Sequence, residues 1–321
     1  MSHSPYADSP GEGGGTWLVT GFCETSGIAA NDTDLFFIAC SGVGHTTPHP
    51  ADLQNWQVID AAGDVMAIAV DAASLYVAAG KDPPHGNPGS GRGLIYQRSL
   101  SDGSTVTLAS GYNPVALAID DSTVYWADVP EATAAGSSRL VAVPKGGGPT
   151  TVLAADLPTV VAIAVGTSNV VLATLDSILS VPKDGSSAPA IVATGVSLPT
   201  AIAADGTDVY WTTQGDAGGP SGALFWADTS GGSVQTFATG LLGAASVAVD
   251  DAHVYFTGFQ TTGQAIGGTV QSIPRTGGAT QTIGWGQGSP IFLAVTPSTL
   301  YWTDTEGDSL TSGTVKVAES E

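Results

Sequence analysis

Residues 116–128 read ALAIDDSTVYWAD, and the string recurs. Copies aligned without a gap stand at 27–39 (GIAANDTDLFFIA), 67–79 (AIAVDAASLYVAA), 162–174 (AIAVGTSNVVLAT), 201–213 (AIAADGTDVYWTT), 246–258 (SVAVDDAHVYFTG) and 292–304 (FLAVTPSTLYWTD). Seven copies spaced 39 to 49 residues apart make the chain an array of one structural unit. Each copy reads as two strands joined by a tight turn. In the first strand a bulky residue (Ile28, Ile68, Leu117, Ile163, Ile202, Val247, Leu293) is followed in every copy by alanine (Ala29, Ala69, Ala118, Ala164, Ala203, Ala248, Ala294). Side chains alternate faces along a strand, so one face is bulky and the other small, and both must be covered. The turn carries Asp71, Asp120, Asp205 or Asp250, whose carboxylates can accept from the backbone N–H groups just ahead. The second strand is aromatic and β-branched, as in Val124-Tyr125-Trp126, which suits a buried pleated surface.

Two further strands fit between successive copies. Residues 138–154 (SRLVAVPKGGGPTTVLA), 178–193 (ILSVPKDGSSAPAIVA) and 223–238 (ALFWADTSGGSVQTFA) each set GG or DG between extended runs, a hairpin signature. Four antiparallel strands per repeat is the unit of a propeller blade. After the last copy only GTVKVA (313–318) remains, one strand short, while TWLVTG (16–21) precedes the first copy and reads like a blade's final strand. The expected fold is therefore all-β: a seven-bladed β-propeller of four-stranded antiparallel blades, one domain over 16–318, its last blade completed by 16–21. Residues 1–15 (MSHSPYADSPGEGGG), without periodicity or apolar content, are expected to be a disordered lead-in.

Composition agrees. The 321 residues include 43 Gly and 19 Pro, too many for a helical bundle, and 42% are hydrophobic, too many for an acidic disordered polymer. Eight Lys+Arg against 29 Asp+Glu give a net charge of −21, which argues against nucleic-acid binding because cations are needed to displace phosphate counterions. No apolar run approaches the ~20 residues of a membrane-spanning helix. The start lacks the basic and apolar stretches of a secretion signal, so either the protein is cytosolic or an export segment lies outside this chain.

The strings VYWAD, VYWTT and LYWTD resemble the YWTD repeats of low-density-lipoprotein-receptor-type propellers. The hairpins VPKGGG and VPKDG are similar to those of bacterial, exported propellers of the YWTD/NHL-like sort. The resemblance spans 16–318 and implies the propeller fold. It also implies an extracellular, periplasmic or cell-surface setting. It does not imply one chemistry, since such propellers include adhesion modules, scaffolds, lyases and lactonases. Two departures stand out: seven blades rather than six, and NVVLAT in the fourth copy where the aromatic motif belongs.

The repeat separates architecture from function without other sequences. Tyr76, Tyr125, Tyr210, Tyr255 and Tyr301 recur and are expected in the core. Phe22, Tyr112 and Trp285 each follow Gly where other blades have Leu157, Val196 or Leu241, which predicts inter-blade packing rather than sugar stacking. The irregular residues gather in 41–52 (SGVGHTTPHPAD) and 80–92 (GKDPPHGNPGSGR), read as links between the second and third strands of blades 1 and 2. His45, His49 and His85 would then share one face and could hold a zinc-like divalent ion. Asp128, Glu131, Asp216, Asp304 and Glu306 are the acids expected on that ligand face. The plainer reading is solvated surface histidines. Cys23 and Cys40 fall near one end of the first hairpin, where they form either a disulfide or two free thiols. No GxSxG or HExxH occurs, and the glycine clusters lie in hairpins rather than between a strand and a helix. These features favour a monomeric, cofactor-free, non-catalytic binding or scaffold propeller that recognises a protein, peptide or glycan through a loop face. The alternative is a metal-assisted lyase or hydrolase on the loop face of blades 1 and 2.

Overall fold

A computed structural model describes all residues except 1–15, 23–25, 40–41, 48–55, 61–63, 81–92, 130–136, 216–220, 263–264, 306–312 and 320–321. The described residues form seven four-stranded antiparallel sheets and no helix. Blade 3 shows the plan. Its inner strand Pro114–Ile119 pairs with Thr123–Asp128, which pairs with Ser138–Pro144, which pairs with the outer strand Thr151–Leu157. The recurring string thus supplies the two strands nearest the axis. Inner strands touch in succession around a circle, and that of blade 7 (Pro290–Thr296) returns to that of blade 1 (Ile28–Ala30).

The ring is held by seven hydrophobic clusters, one at each seam between blades. At the seam of blades 2 and 3, Ala67, Ala69, Tyr76 and Ala78 of one blade receive Leu117, Val124 and Trp126 of the next. The alanine face and the bulky face of the repeat are therefore complementary surfaces of neighbouring wedges. All five repeat tyrosines are buried. Burying a large apolar side chain contributes about 1.5–3 kcal/mol, so the seams dominate stability.

Blade 7 is closed by the start of the chain. Its order from the rim is Thr16–Phe22, Gly313–Glu319, Thr299–Thr305, Pro290–Thr296, with Thr16 opposite Val317 and Thr20 opposite Thr314. Tyr301 and Val315 then pack on Leu35 and Phe37 of blade 1, sealing the last seam. Residues 1–15 lie outside the described residues.

Each blade leaves links on two faces. The turn face carries the first-to-second turn and the third-to-fourth hairpin, and the connection face carries the second-to-third link and the passage to the next blade. One boundary differs from expectation. In blade 1 the third strand is Gly42–Thr46, inside the stretch read as a loop. Its glycines hide it: a Cβ on Gly44 would collide with the Phe37 ring, so close packing demands a residue with no side chain there.

Candidate functional site

Asp128 ends the second strand of blade 3 and Asp304 stands one residue before the end of that of blade 7, and both are fully buried beneath the connection face. Asp128 Oδ1 accepts from the N–H groups of Tyr112 (2.9 Å) and Asn113 (2.8 Å), while Oδ2 accepts from Arg139 Nε (3.0 Å) and Nη2 (2.6 Å). Asp304 repeats the design with Ser289 N (2.6 Å), Gly288 N (3.3 Å) and Lys316 Nζ (3.0 Å). A buried carboxylate is tolerable only when its lone pairs are occupied, and here they tie the incoming link to the blade it enters. The structure therefore corrects the expectation of two ligand-facing acids: these are internal braces. Glu131, Asp216 and Glu306 lie outside the described residues.

The histidine cluster fares differently in each member. His45 sits in the third strand, stacked on Phe36 at 4.9 Å, with Nε2 2.6 Å from Asp34 Oδ1 in the first turn of its own blade. It thus belongs to the turn face. His49 and His85 lie outside the described residues. The strand preceding His49 ends at Thr46 on the turn face, whereas the strand preceding His85 ends at Ala79 on the connection face. Among the described residues no group of three His, Cys, Asp or Glu side chains could hold a metal ion. Cys23 and Cys40 lie outside the described residues. The register between them, Ile28 opposite Phe37 and Ala30 opposite Leu35, is the one expected.

The aromatic trio also separates. Phe22 lies opposite Gly313 just as Leu157 lies opposite Ser138, so it holds the expected register. In blade 6 that register falls to Gln287, opposite Gly268, and Trp285 is displaced to the surface at 48% exposure. Tyr112 lies opposite Gly93, whose N–H donates to the Tyr112 carbonyl, as Leu157 lies opposite Ser138, and it is half-buried under Arg139, whose guanidinium carbon is 5.2 Å from its ring centre.

The turn face carries an ionic device that reading the copies one by one misses. Asp71 Oδ1 accepts from the N–H groups of Ala73 and Ser74, and Oδ2 accepts from Tyr76 OH (3.0 Å) and from Lys145 Nζ (2.6 Å) of the next blade. Asp120 does the same with Ser122, Thr123, Tyr125 and Lys183 (2.9 Å). Arg275 of blade 6 spans Asp205 and Asp208 of blade 5, the latter at 2.8 Å. Burial alone would raise the Asp120 carboxyl, but the Lys183 ammonium, the Tyr125 hydroxyl and the Ser122 N–H together hold it down at about 2. Burial first, and then the Asp120 carboxylate it donates to, push the Tyr125 hydroxyl up to about 12. Lys145, Lys183, Thr229, Arg275 and Leu100 occupy one equivalent position, since each donates its N–H to the same turn carbonyl of its own blade. Where the preceding turn has Asp71, Asp120 or Asp205, that position is Lys145, Lys183 or Arg275. Where it has Gly166 or Asn31, the position is Thr229 or Leu100. Compensation offset by one blade was the signal available in the sequence.

Blade 5 lacks the buried brace. Thr213 lies opposite Ala223 where blade 3 sets Asp128 opposite Arg139, and Val196 stands in the slot of Gln287. Trp302 Nε1 donates to Gln287 Oε1 at 3.3 Å, but the equivalent Trp211 N–H is buried with no acceptor among the described residues. A cavity of about 350 Å³ opens here between blades 4 and 5.

No protein-family model and no curated protein matches the sequence. Solved structures do resemble the fold. The WD40 β-propeller domain of Doa1 superposes with a TM-score of 0.64 at 14% identity, over 94% of this chain and 96% of that one. The β-propeller domain of the Trilobed protease from Pyrococcus furiosus gives 0.65 at 10% identity over 93% and 97%. That domain is described as having an open velcro topology, whereas here Thr16–Phe22 pairs with Gly313–Glu319. A nidogen/laminin complex matches at 0.50 and 18% identity over 66% and 82%. At such identities the likeness speaks for architecture, and the chain is a closed seven-bladed β-propeller.

Proposed function

We propose that this propeller is a non-catalytic interaction module that recognises a protein through a face of the ring. The observation that carries this reading is the engagement of Asp128 and Asp304. The two described acids best placed for chemistry are consumed in bracing the frame. The WD40 likeness supports it at the level of fold, although other neighbours are protease domains. The YWTD likeness fits the same picture, since the final Asp of VYWAD and LYWTD is the brace itself. An extracytoplasmic setting belongs to this proposal, and thiol counting on the unfolded, unreduced chain tests it: a Cys23–Cys40 disulfide leaves no free thiol, and two free thiols count against that setting.

The deciding experiment combines affinity capture on the immobilised full chain with esterase, lactonase and lyase screens. Saturable protein binding without turnover supports the module. Turnover that is lost when connection-face residues are changed overturns it.

A further inference from the structure

Trp211, in the second strand of blade 5, is 1% exposed, and its indole N–H is buried with no acceptor among the described residues. Blade 7 shows where such an acceptor stands. Trp302 lies opposite Leu293 as Trp211 lies opposite Ile202. Its N–H donates at 3.3 Å to Gln287 Oε1, at the end of the preceding blade's outer strand. In blade 5 that slot holds Val196, whose side chain has no polar atom. Trp211 and Val196 both line the cavity of about 350 Å³, so this seam keeps the donor and has open space where the other seam sets the acceptor. A buried donor without an acceptor is costly and rare, and one in a cavity wall points to an acceptor brought by a ligand.

Two comparable places lack this combination. Trp126 in blade 3 also has no acceptor among the described residues, but a Cβ on Gly111 would stand 3.5 Å from its Nε1 and 3.2 Å from Asp128 Oδ1, which packs that N–H beside the buried brace. A cavity of about 320 Å³ between blades 6 and 7 is lined by the turns 249–252 and 295–297, with Asp250 and Asp251 in its wall and no tryptophan among its described residues.

The wall defines the ligand. Trp211 and Phe225 stack at 5.6 Å with their planes 22° apart, a flat apolar surface. The described residues of the lining include no Asp, Glu, Lys, Arg or His, so nothing there offsets the desolvation of an ion, and the ligand is neutral. Thr213 is buried in the same wall, and the exposed Ser197 and Ser221 mark the mouth. The volume falls at the small end of ligand pockets. We infer that the seam of blades 4 and 5 is a binding site for a small neutral aromatic carbonyl compound that lies on the Trp211–Phe225 wall and accepts a hydrogen bond from Trp211 Nε1. The inference does not rest on the interaction-module reading, and its failure leaves the capture experiment as it stands.

The probe is acetophenone, titrated into the ¹⁵N-labelled full chain while the indole N–H signals of the seven tryptophans are followed by NMR. The Trp211 signal is assigned by its loss in Trp211→Phe. Ethylbenzene, which keeps the ring and lacks the oxygen, is the control. Acetophenone should move the Trp211 signal downfield saturably and bind at least about fivefold tighter than ethylbenzene. Val196→Gln rebuilds the arrangement of Gln287 and should move the signal downfield with no probe present and abolish binding. Ser197→Trp, a change at an exposed position, should block the mouth and weaken binding about tenfold or more while the other indole signals stay in place. No shift of the Trp211 signal up to the solubility limit of acetophenone overturns the site. Equal affinity for ethylbenzene overturns the hydrogen bond and with it the ligand class. Unchanged affinity in Ser197→Trp overturns the location, whether or not Val196→Gln folds.

Discussion

Replacing Lys316 with methionine isolates the energetics of closure. Lys316 Nζ is buried in the last strand, 3.0 Å from Asp304 Oδ2 and 2.8 Å from Gln287 Oε1. Methionine keeps most of the volume and removes the charge, which leaves the buried Asp304 without its cation. Breaking one side of a buried pair costs about 3–5 kcal/mol. Asp304 still accepts from Ser289 N at 2.6 Å and Gly288 N at 3.3 Å, which places the cost at the low end, about 3 kcal/mol. For a chain of 321 residues that is a fall in midpoint of about 4–5 °C. Two comparisons sharpen the test. Arg139→Met should cost less, because Arg139 is 26% exposed and water can reach the vacated site. The double variant Lys316→Met with Asp304→Asn should recover at least half of the loss, since no buried charge is then stranded. Thermal and urea unfolding followed by tryptophan fluorescence reads all three. A Lys316→Met cost under about 1 kcal/mol, or a double variant as unstable as the sum of the single ones, refutes the brace as the source of closure.

Acid should loosen the turn face in a defined window. Asp120 titrates near 2 in the fold against an ordinary 3.8, so its contribution is complete above about pH 4 and disappears as the pH falls through 2. Lys183→Met should flatten the stability–pH curve in that interval and leave its slope near neutrality unchanged. Leu198→Gly should raise the thermal midpoint by about 1–2 °C, because relief of the left-handed backbone of Leu198 (φ +46°) is worth about 1 kcal/mol. A lowered midpoint contradicts the strain. Removal of residues 1–22 should abolish the cooperative transition of blade 7 and expose its third strand as a free edge, whereas removal of 1–15 should leave the midpoint in place. Hydrogen exchange at Gly313–Glu319 distinguishes the two truncations.

The repeated string determined the fold because it states a local rule seven times. Alternation of Ile28, Ile68 or Leu117 with the following alanine sets two complementary faces, and a turn of fixed length sets the register. Even closure was legible, since GTVKVA lacked a partner and TWLVTG was a strand without a blade. The third strand of blade 1 was not, because glycine suppresses the alternation that marks a strand.

The site depended on relations that no single copy contains. Whether Asp128 faces solvent or Arg139 is decided by which residue lies opposite it in the next strand, and Asp120 meets its cation only in the neighbouring blade. The hollow seam is likewise the sum of three small residues, Thr213, Ala223 and Val196, unremarkable in sequence and consequential once they face the same space. Strand periodicity is a property of the backbone and is written along the chain. Charge pairing and cavities are properties of distance between segments far apart in it, and only the closed ring fixes those distances.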